Sequence, residues 1–201
     1  MVKFYAVRKG RKPGIYSTWD ECSAQVKGYK GGEFKKFSSL EEAQAFMAGS
    51  KNLSEKKLDA LDPDQALAYI DGSYHSKTKD YGAGIVFFTD QGKETYSIKG
   101  SHPEYHTYRN VAGEVLGALF AMEKAMDLKK KKLYLYYDYA GIEYWAKGEW
   151  KQNNELTKSY HKKAQKFLKS MEIHFVKVAA HSGDTLNDEA DELAKKSIGL
   201  A

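Results

Sequence analysis

Apolar and polar positions alternate from the start of the chain. Val2–Val7 reads as a strand, Lys9-Gly-Arg-Lys-Pro-Gly14 as a turn, and Ile15–Ser17 as a second strand. Thr18-x-x-Glu21 has the form of a capping box and opens a short helix through about Val26. After Gly31-Gly32, Phe34–Phe37 is a third strand, and Ser39-x-x-Glu42 caps a helix through about Met47. This predicts a small α+β unit of ββαβα order over residues 1–48. Residues 49–65 are rich in charge, lack an apolar period and read as a linker.

From Ala66 the pattern changes. Strand-like runs at 67–70, 82–89, 94–99, 133–137 and 172–178 alternate with helix-like runs at about 110–127, 140–147, 157–170 and 187–197. The order β-β-β-α-β-α-α-β-α is a hairpin meander followed by crossover units. It predicts an α/β domain over 66–201 with a mixed five-stranded sheet, antiparallel at one edge and flanked by helices. Ligands of such sheets gather at the carboxyl ends of the parallel strands.

Two acids sit there. Asp71 follows Leu67–Ile70 and Asp138 follows Leu133–Tyr137, while Glu114 and Asp191 fall in helix-like patterns. Carboxylates a few ångströms apart repel, and one takes up a proton unless a cation compensates. Hard divalent ions such as Mg²⁺ prefer carboxylate oxygens and keep waters free for a phosphate. If the four acids converge, a metal-dependent site for phosphoryl chemistry results. Each acid also has a plainer reading. Asp71-Gly72 is a common turn pair. Glu114 is a favourable charge near a helix N-terminus, at the edge of an apolar stripe of Val115, Leu119, Met122 and Met126. Asp191 belongs to an acidic helix start in which Asp188 competes for the inward position. Asp138 has the weakest plain reading, because its neighbours are not turn formers. His181, on the loop Ala180-His-Ser-Gly183 after the last strand, is suited to shuttling protons near neutral pH; a solvent-exposed loop histidine is the alternative.

Composition narrows the classes. A hydrophobic content of 42% supports a core, and no apolar run approaches the ~18 residues of a membrane span. The alternating, charged Met-Val-Lys-Phe-Tyr start reads as neither a signal nor a transit peptide. A single cysteine, Cys22, excludes an internal disulfide and a cysteine-based zinc site and makes the cytoplasm the expected location. Net charge is only +5, but the first fifty residues hold nine basic against five acidic side chains. Either a polyanion footprint or a solvated basic surface accounts for that excess.

Asp71-Gly-Ser, Asn110-x-x-x-Glu114, Tyr137-Asp138 and His181-Ser-Gly with Asn187-Asp-x-x-Asp191-Glu-Leu-Ala194 together resemble type 1 ribonuclease H, over residues 67–197. The first fifty residues resemble the RNA–DNA hybrid-binding domain also seen in caulimovirus viroplasmin. That match rests on Phe4-Tyr-Ala-Val-Arg-Lys-Gly10, Gly14-Ile-Tyr-x-Thr-Trp-x-Glu-Cys22 and Phe34-Lys-Lys-Phe37. The resemblance implies a ribonuclease H-like fold and an endonuclease that cuts the RNA strand of RNA–DNA hybrids, leaving 5′-phosphate and 3′-hydroxyl ends. By it, Asp71, Glu114, Asp138 and Asp191 would hold two Mg²⁺ ions, with Mn²⁺ the other candidate. One ion would activate a water and the other stabilise the leaving 3′ oxygen. His181 would move protons or assist product release, and the spacing from His181 favours Asp191 over Asp188. Ser73 and Asn110 would lie near the RNA strand, whose 2′-hydroxyl tells it from DNA. Tyr5, Trp19 and Phe34 would lie against sugar or base faces, with Lys35 and Lys36 on phosphates; the alternative for the aromatics is the core of their unit. A monomer is expected, with double-stranded RNA as a second ligand of the N-terminal unit.

The chain departs from the family pattern in two places. Ala180 stands where the family often has glycine before the loop histidine. The segment between Asp138 and His181 has no extra basic helix hairpin of the kind some members use to grip the hybrid. Lys158, Lys162, Lys163, Lys166 and Lys169 partly replace its charge, or are a solvated face. The competing functions are a non-catalytic hybrid or double-stranded RNA binder, which would not need all four acids and His181, and another nuclease or transposase of this fold, which would not carry the N-terminal unit.

Overall fold

In the computed structural model the described residues are 3–37, 40–47, 61–178 and 184–201, without the side chains of 41, 42 and 45. The chain divides into two compact units, Met1–Asp59 and Ala60–Ala201.

The first unit holds β1 (Phe4–Lys9), β2 (Gly14–Tyr16), α1 (Trp19–Val26), β3 (Glu33–Phe37) and α2 (Leu40–Met47). Its sheet has the order β2-β1-β3, antiparallel throughout. Ala6 and Val7 are neighbours on β1 and both fully buried, so both faces of this sheet are covered. One face carries Phe4, Ala6 and Phe37 against Ala43 and Phe46 of α2. Cys22 of α1 is also buried and acts as a small apolar core residue. The capping box at Thr18 is present: the Glu21 N–H donates to Thr18 Oγ1 at 3.3 Å, and the Thr18 N–H donates to Glu21 Oε2 at 3.2 Å. Ser39, the cap expected for the second helix, lies outside the described residues.

The second unit holds β4 (Gln65–Tyr74), β5 (Tyr81–Thr89), β6 (Gly92–Gly100), a 3₁₀ turn (Pro103–Tyr108), α3 (Asn110–Asp127), β7 (Lys132–Tyr137), α4 (Gly141–Lys147), α5 (Glu155–Ser170), β8 (Glu172–Lys177) and α6 (Thr185–Ser197). The sheet order is β6-β5-β4-β7-β8; β4, β5 and β6 are antiparallel, and β7 and β8 run parallel to β4. Tight turns force the first pairing, and the helical crossovers through α3 and through α4–α5 force the second. The expected linker ends too late. Gln65 is already in β4, and the carbonyl of Asp64 accepts from the N–H groups of Lys131 and Lys132 at 2.7 and 3.1 Å. Backbone pairing to the segment before β7, invisible in a local charge pattern, makes these residues part of the sheet.

Two glycines let helices sit close on this sheet. A Cβ on Gly72 would lie 2.2 Å from the Asn110 carbonyl oxygen and 2.5 Å from the Glu114 nitrogen of α3. A Cβ on Gly84 would lie 1.9 Å from the Ala190 carbonyl oxygen of α6. Gly72 therefore belongs to the middle of a strand, and the turn reading of Asp71-Gly72 does not hold. The same closeness explains the buried face of α3, which is lined by Ala112, Val115, Ala118, Ala121, Met122 and Ala125, while Met126 is exposed. Gly72→Ala or Gly84→Ala is expected to cost at least about 1–3 kcal/mol, because backbone atoms must move to admit one methyl; denaturant unfolding midpoints measure it.

Candidate active site

Strand register brings the first two acids together. The last parallel pair of β4 and β7 is Tyr69–Tyr136, whose rings stack at 4.3 Å. Two residues further along each strand are Asp71 and Asp138. β4 continues past its parallel neighbour, paired only with β5 through Tyr74–Tyr81, so Asp71 lies within a strand and not beyond its end. Glu114 comes from the other side, one turn into α3, where the missing side chain of Gly72 admits the helix. One carboxylate oxygen each of Asp71, Glu114 and Asp138 lie within 4.8 Å of one another.

This convergence is electrostatically costly. Glu114 is 2% exposed, and its Oε2 is buried without a hydrogen-bond partner. Burial pushes its carboxyl well above the usual range, and the charges of Asp138 and Asp71 push the same way against a backbone hydrogen bond from Tyr139. Asp71 is pushed up to about 7, first by burial and then by Asp138 and Asp191; the Gly72 N–H, donated to its Oδ1 at 2.7 Å, opposes this. An all-oxygen trio with one orphaned buried oxygen fits a hard divalent cation, which would satisfy that oxygen and cancel the repulsion.

Asp191 lies outside this trio, although its charge reaches Asp71. It is half-buried on α6, whereas Asp188 is exposed, so α6 turns Asp191 and not Asp188 toward the sheet. Lys195, one turn on, holds the Asp191 carboxylate at 2.6 Å. Lys195 and Tyr139 escaped notice in the sequence, yet Asp191-x-x-x-Lys195 is a readable i, i+4 ion pair. Ser73 follows Asp71 by two residues on β4, half-buried, and Asn110 is the exposed first residue of α3 beside Gly72. Asn110 is preceded by Arg109 at φ +51°, ψ −128°, a strained entry to the helix for a side chain with a Cβ. His181 lies outside the described residues.

In the first unit, Trp19 stands between Tyr5 and Phe34, with ring centroids 5.9 and 5.7 Å away. Trp19 is 49% and Phe34 44% exposed, so these two rings are not core. Lys36 pairs across the sheet with Tyr5 and shares the face of Phe34. Lys35 points to the opposite face, where its Nζ lies 5.6 Å from the centre of the Phe37 ring. The structure therefore sets Lys36 beside the ring row and separates Lys35 from it.

Known proteins share both units. Residues 3–47 match the family model of the ribonuclease H1 N-terminal domain, and residues 63–199 match that of RNase H. Human ribonuclease H1 is 29% identical over 254 aligned positions, covering 96% of this chain and 88% of its own. Ribonuclease H of Saccharomyces cerevisiae is 61% identical over 44 residues, 22% of this chain and 13% of that protein. Among solved structures, RNase H1 of the archaeon Halobacterium salinarum superposes with a TM-score of 0.56 at 20% identity, covering 68% of this chain and 99% of its own. That likeness shows the expected mixed-sheet fold. The chain thus belongs to the ribonuclease H family, divalent-metal-dependent endoribonucleases that hydrolyse the RNA strand of RNA–DNA hybrids, and carries a ribonuclease H1 N-terminal hybrid-binding domain ahead of its catalytic domain.

Proposed function

We propose that the chain cuts the RNA strand by two-metal-ion catalysis, leaving 5′-phosphate and 3′-hydroxyl ends, with Mg²⁺ as the working ion. The convergence of Asp71, Glu114 and Asp138 around an orphaned, buried Glu114 oxygen carries this reading. The trio would hold one ion, and Asp191 would join Asp71 in holding a second. When bound, such ions supply a Lewis acid at the phosphate oxygens and lower the pKa of a water. The protein keeps the carboxylates in place: β4–β7 pairing sets Asp71 level with Asp138, α3 fixes Glu114, and an ion pair with Lys195 orients Asp191. Ser73 and Asn110 flank the trio and would meet the RNA strand, and His181 would carry protons as product leaves.

The N-terminal unit would add affinity. Trp19 and Phe34 offer exposed ring faces to sugars or bases, with Tyr5 behind them and Lys36 within reach of a phosphate; Lys35 would reach one only from the other face. Double-stranded RNA is a second, weaker ligand of this unit, and the protein acts as a monomer. Deleting residues 1–48 is expected to weaken hybrid binding about tenfold or more at physiological salt and to reduce processivity; unchanged affinity in a filter-binding titration would count against this role. The decisive experiment is cleavage of strand-labelled hybrid, duplex RNA and duplex DNA with and without Mg²⁺. Cleavage of any strand other than the RNA of the hybrid, or cleavage in chelator, would sink the reading.

A further inference from the structure

Two tyrosines lie beneath the acids, and the chemistry above uses neither. Tyr69 and Tyr136 stand two residues before Asp71 and Asp138 on neighbouring strands, so each shares the sheet face of its acid. Their rings stack at 4.3 Å and 16°, and the residues are 0% and 8% exposed. A buried ring needs no hydroxyl; phenylalanine would fill the same space without a polar atom to satisfy. The Tyr69 hydroxyl lies 3.5 Å from Oδ2 of Asp184, at the outer limit of hydrogen-bond distance. The Asp184 charge reaches the Tyr136 hydroxyl as well.

Asp184 is the N-cap of α6, the helix that carries Asp191. Its Oδ1 accepts the Leu186 N–H at 3.1 Å, and its carbonyl accepts the Asp188 N–H at 2.9 Å. One side-chain oxygen completes a cap, and serine caps about as well as aspartate. The second carboxylate oxygen is surplus to the cap, and it is the one that faces Tyr69. Seven residues are close to two turns, so Asp184 and Asp191 project from α6 within about 20° of each other, about 10 Å apart along its axis. α6 climbs beside β4. Tyr69 meets Asp184, the Ala190 carbonyl lies over Gly84, the partner of Asp71, and the Ala194 carbonyl lies over Gly82, the partner of Ser73. Further ties bind α6 to β6, where Ser97 Oγ donates to the Leu193 carbonyl at 2.7 Å and Lys93 pairs with Glu189 at 2.5 Å. Those ties act on later turns and on the far edge of the sheet. The Tyr69–Asp184 contact acts at the start of the helix and on the strand of Asp71.

We propose that Tyr69 and Asp184 are positioning residues for the cleavage reaction: their contact sets the separation of Asp71 and Asp191, and through it the affinity of the site those two acids form for the second ion. The tyrosine stack keeps Asp71 and Asp138 level, and the tie on Asp184 fixes the height of α6 against that floor. Mg²⁺ demands near-ideal ligand geometry, so a small slide of α6 is felt as lost affinity. The trio of Asp71, Glu114 and Asp138 has its own supports in the β4–β7 register and at Gly72, so the first ion does not depend on α6. The inference rests on the two-ion reading above.

The test uses the full chain and a strand-labelled hybrid. Tyr69→Phe keeps the ring stack and every charge, while Asp184→Ser keeps a cap but is too short to reach Tyr69. Each is expected to raise the Mg²⁺ concentration for half-maximal cleavage about tenfold, the loss typical when a residue supporting a metal ligand is removed. The KM for hybrid at saturating Mg²⁺ should stay within about twofold, since no substrate contact is touched. The double variant should be no worse than either single one, because both changes remove the same contact. Mn²⁺ binding without substrate, followed by loss of the free-ion electron paramagnetic resonance signal, should show the weaker of two sites loosened about tenfold and the tighter one unchanged. Ser97→Ala, which frees a different tie of α6, should move none of these quantities. An unaltered Mg²⁺ dependence in both single variants overturns the proposal. Equal loosening of both Mn²⁺ sites, a multiplied effect in the double variant, or the same shift in Ser97→Ala overturns it too. A parent chain that binds a single Mn²⁺ refutes the two-ion reading instead, which is a separate result.

Discussion

Asp71→Asn is expected to abolish cleavage of the RNA strand while leaving hybrid affinity within a few fold of the parent. Asparagine has the shape of aspartate but not its charge, so the fold and the binding surfaces persist while a cation loses a ligand. Metal stabilisation of the transition state is worth several kcal/mol, and each 1.36 kcal/mol is tenfold, so the loss in kcat should be about 10³-fold or more. Asp138→Asn should behave alike, because register places the two acids level. A variant retaining a tenth of the parent rate at saturating Mg²⁺ would remove these acids from the site. Stability supplies a second readout. An aspartate kept only for structure loses stability when neutralised, whereas Asp71, crowded by Asp138 and Asp191, should gain it in the absence of metal.

That gain has a defined pH window. The folded-state pKa of Asp71 is about 7 against an ordinary 3.8, and Glu114 is raised as well. Between those limits the folded chain holds protons that the unfolded chain has released, so the derivative of unfolding free energy with pH is negative. The stability that Asp71 contributes is intact below about pH 4 and lost as pH rises through 7, and Glu114 acts in the same direction. For Asp71 the upper limit is about 4 kcal/mol at 1.36 kcal/mol per unit. Other carboxylates act in the opposite direction: the Glu33, Asp80 and Asp90 carboxyls are held down by lysine or arginine partners. The useful measurement is therefore the difference between parent and Asp71→Asn, followed in chelator from pH 4 to 8. It should grow with pH and reach most of its size by pH 8. Mg²⁺ should shrink it, since an ion present at a hundred times its Kd stabilises the parent by about 2.7 kcal/mol. For a domain of this size that is about 5–10 °C in Tm. A difference independent of pH, or a parent Tm indifferent to Mg²⁺, would contradict a cation site at the trio.

Much of this chain can be read locally. The bounds of α3, the capping box at Thr18 and the order of the eight strands among the described residues follow from apolar period, caps and turn residues, all of which act over a few positions. The four acids are visible as acids, and two of them as ends of buried runs. Where the reading slipped, the missing information was long-range. Gln65 looks like linker until Asp64 is seen bonded to the start of β7. Met126 fits an apolar stripe, but α3 approaches the sheet so closely that alanines fill the buried face, and alanine carries almost no periodic signal. Lys35 and Lys36 look equivalent until strand pairing sends them to opposite faces.

By itself, then, the sequence determined the elements, their order, the family and the set of candidate acids, because each depends on residue type and short spacing. Only the tertiary structure decided which groups meet. It set Asp71 level with Asp138 through β4–β7 register and let Glu114 in over Gly72. It turned Asp191 rather than Asp188 toward the sheet. Distances between residues remote in sequence are set by register and by how closely helices pack on the sheet. The energetic cost of gathering three carboxylates, and with it the need for a cation, exists only once those distances are short.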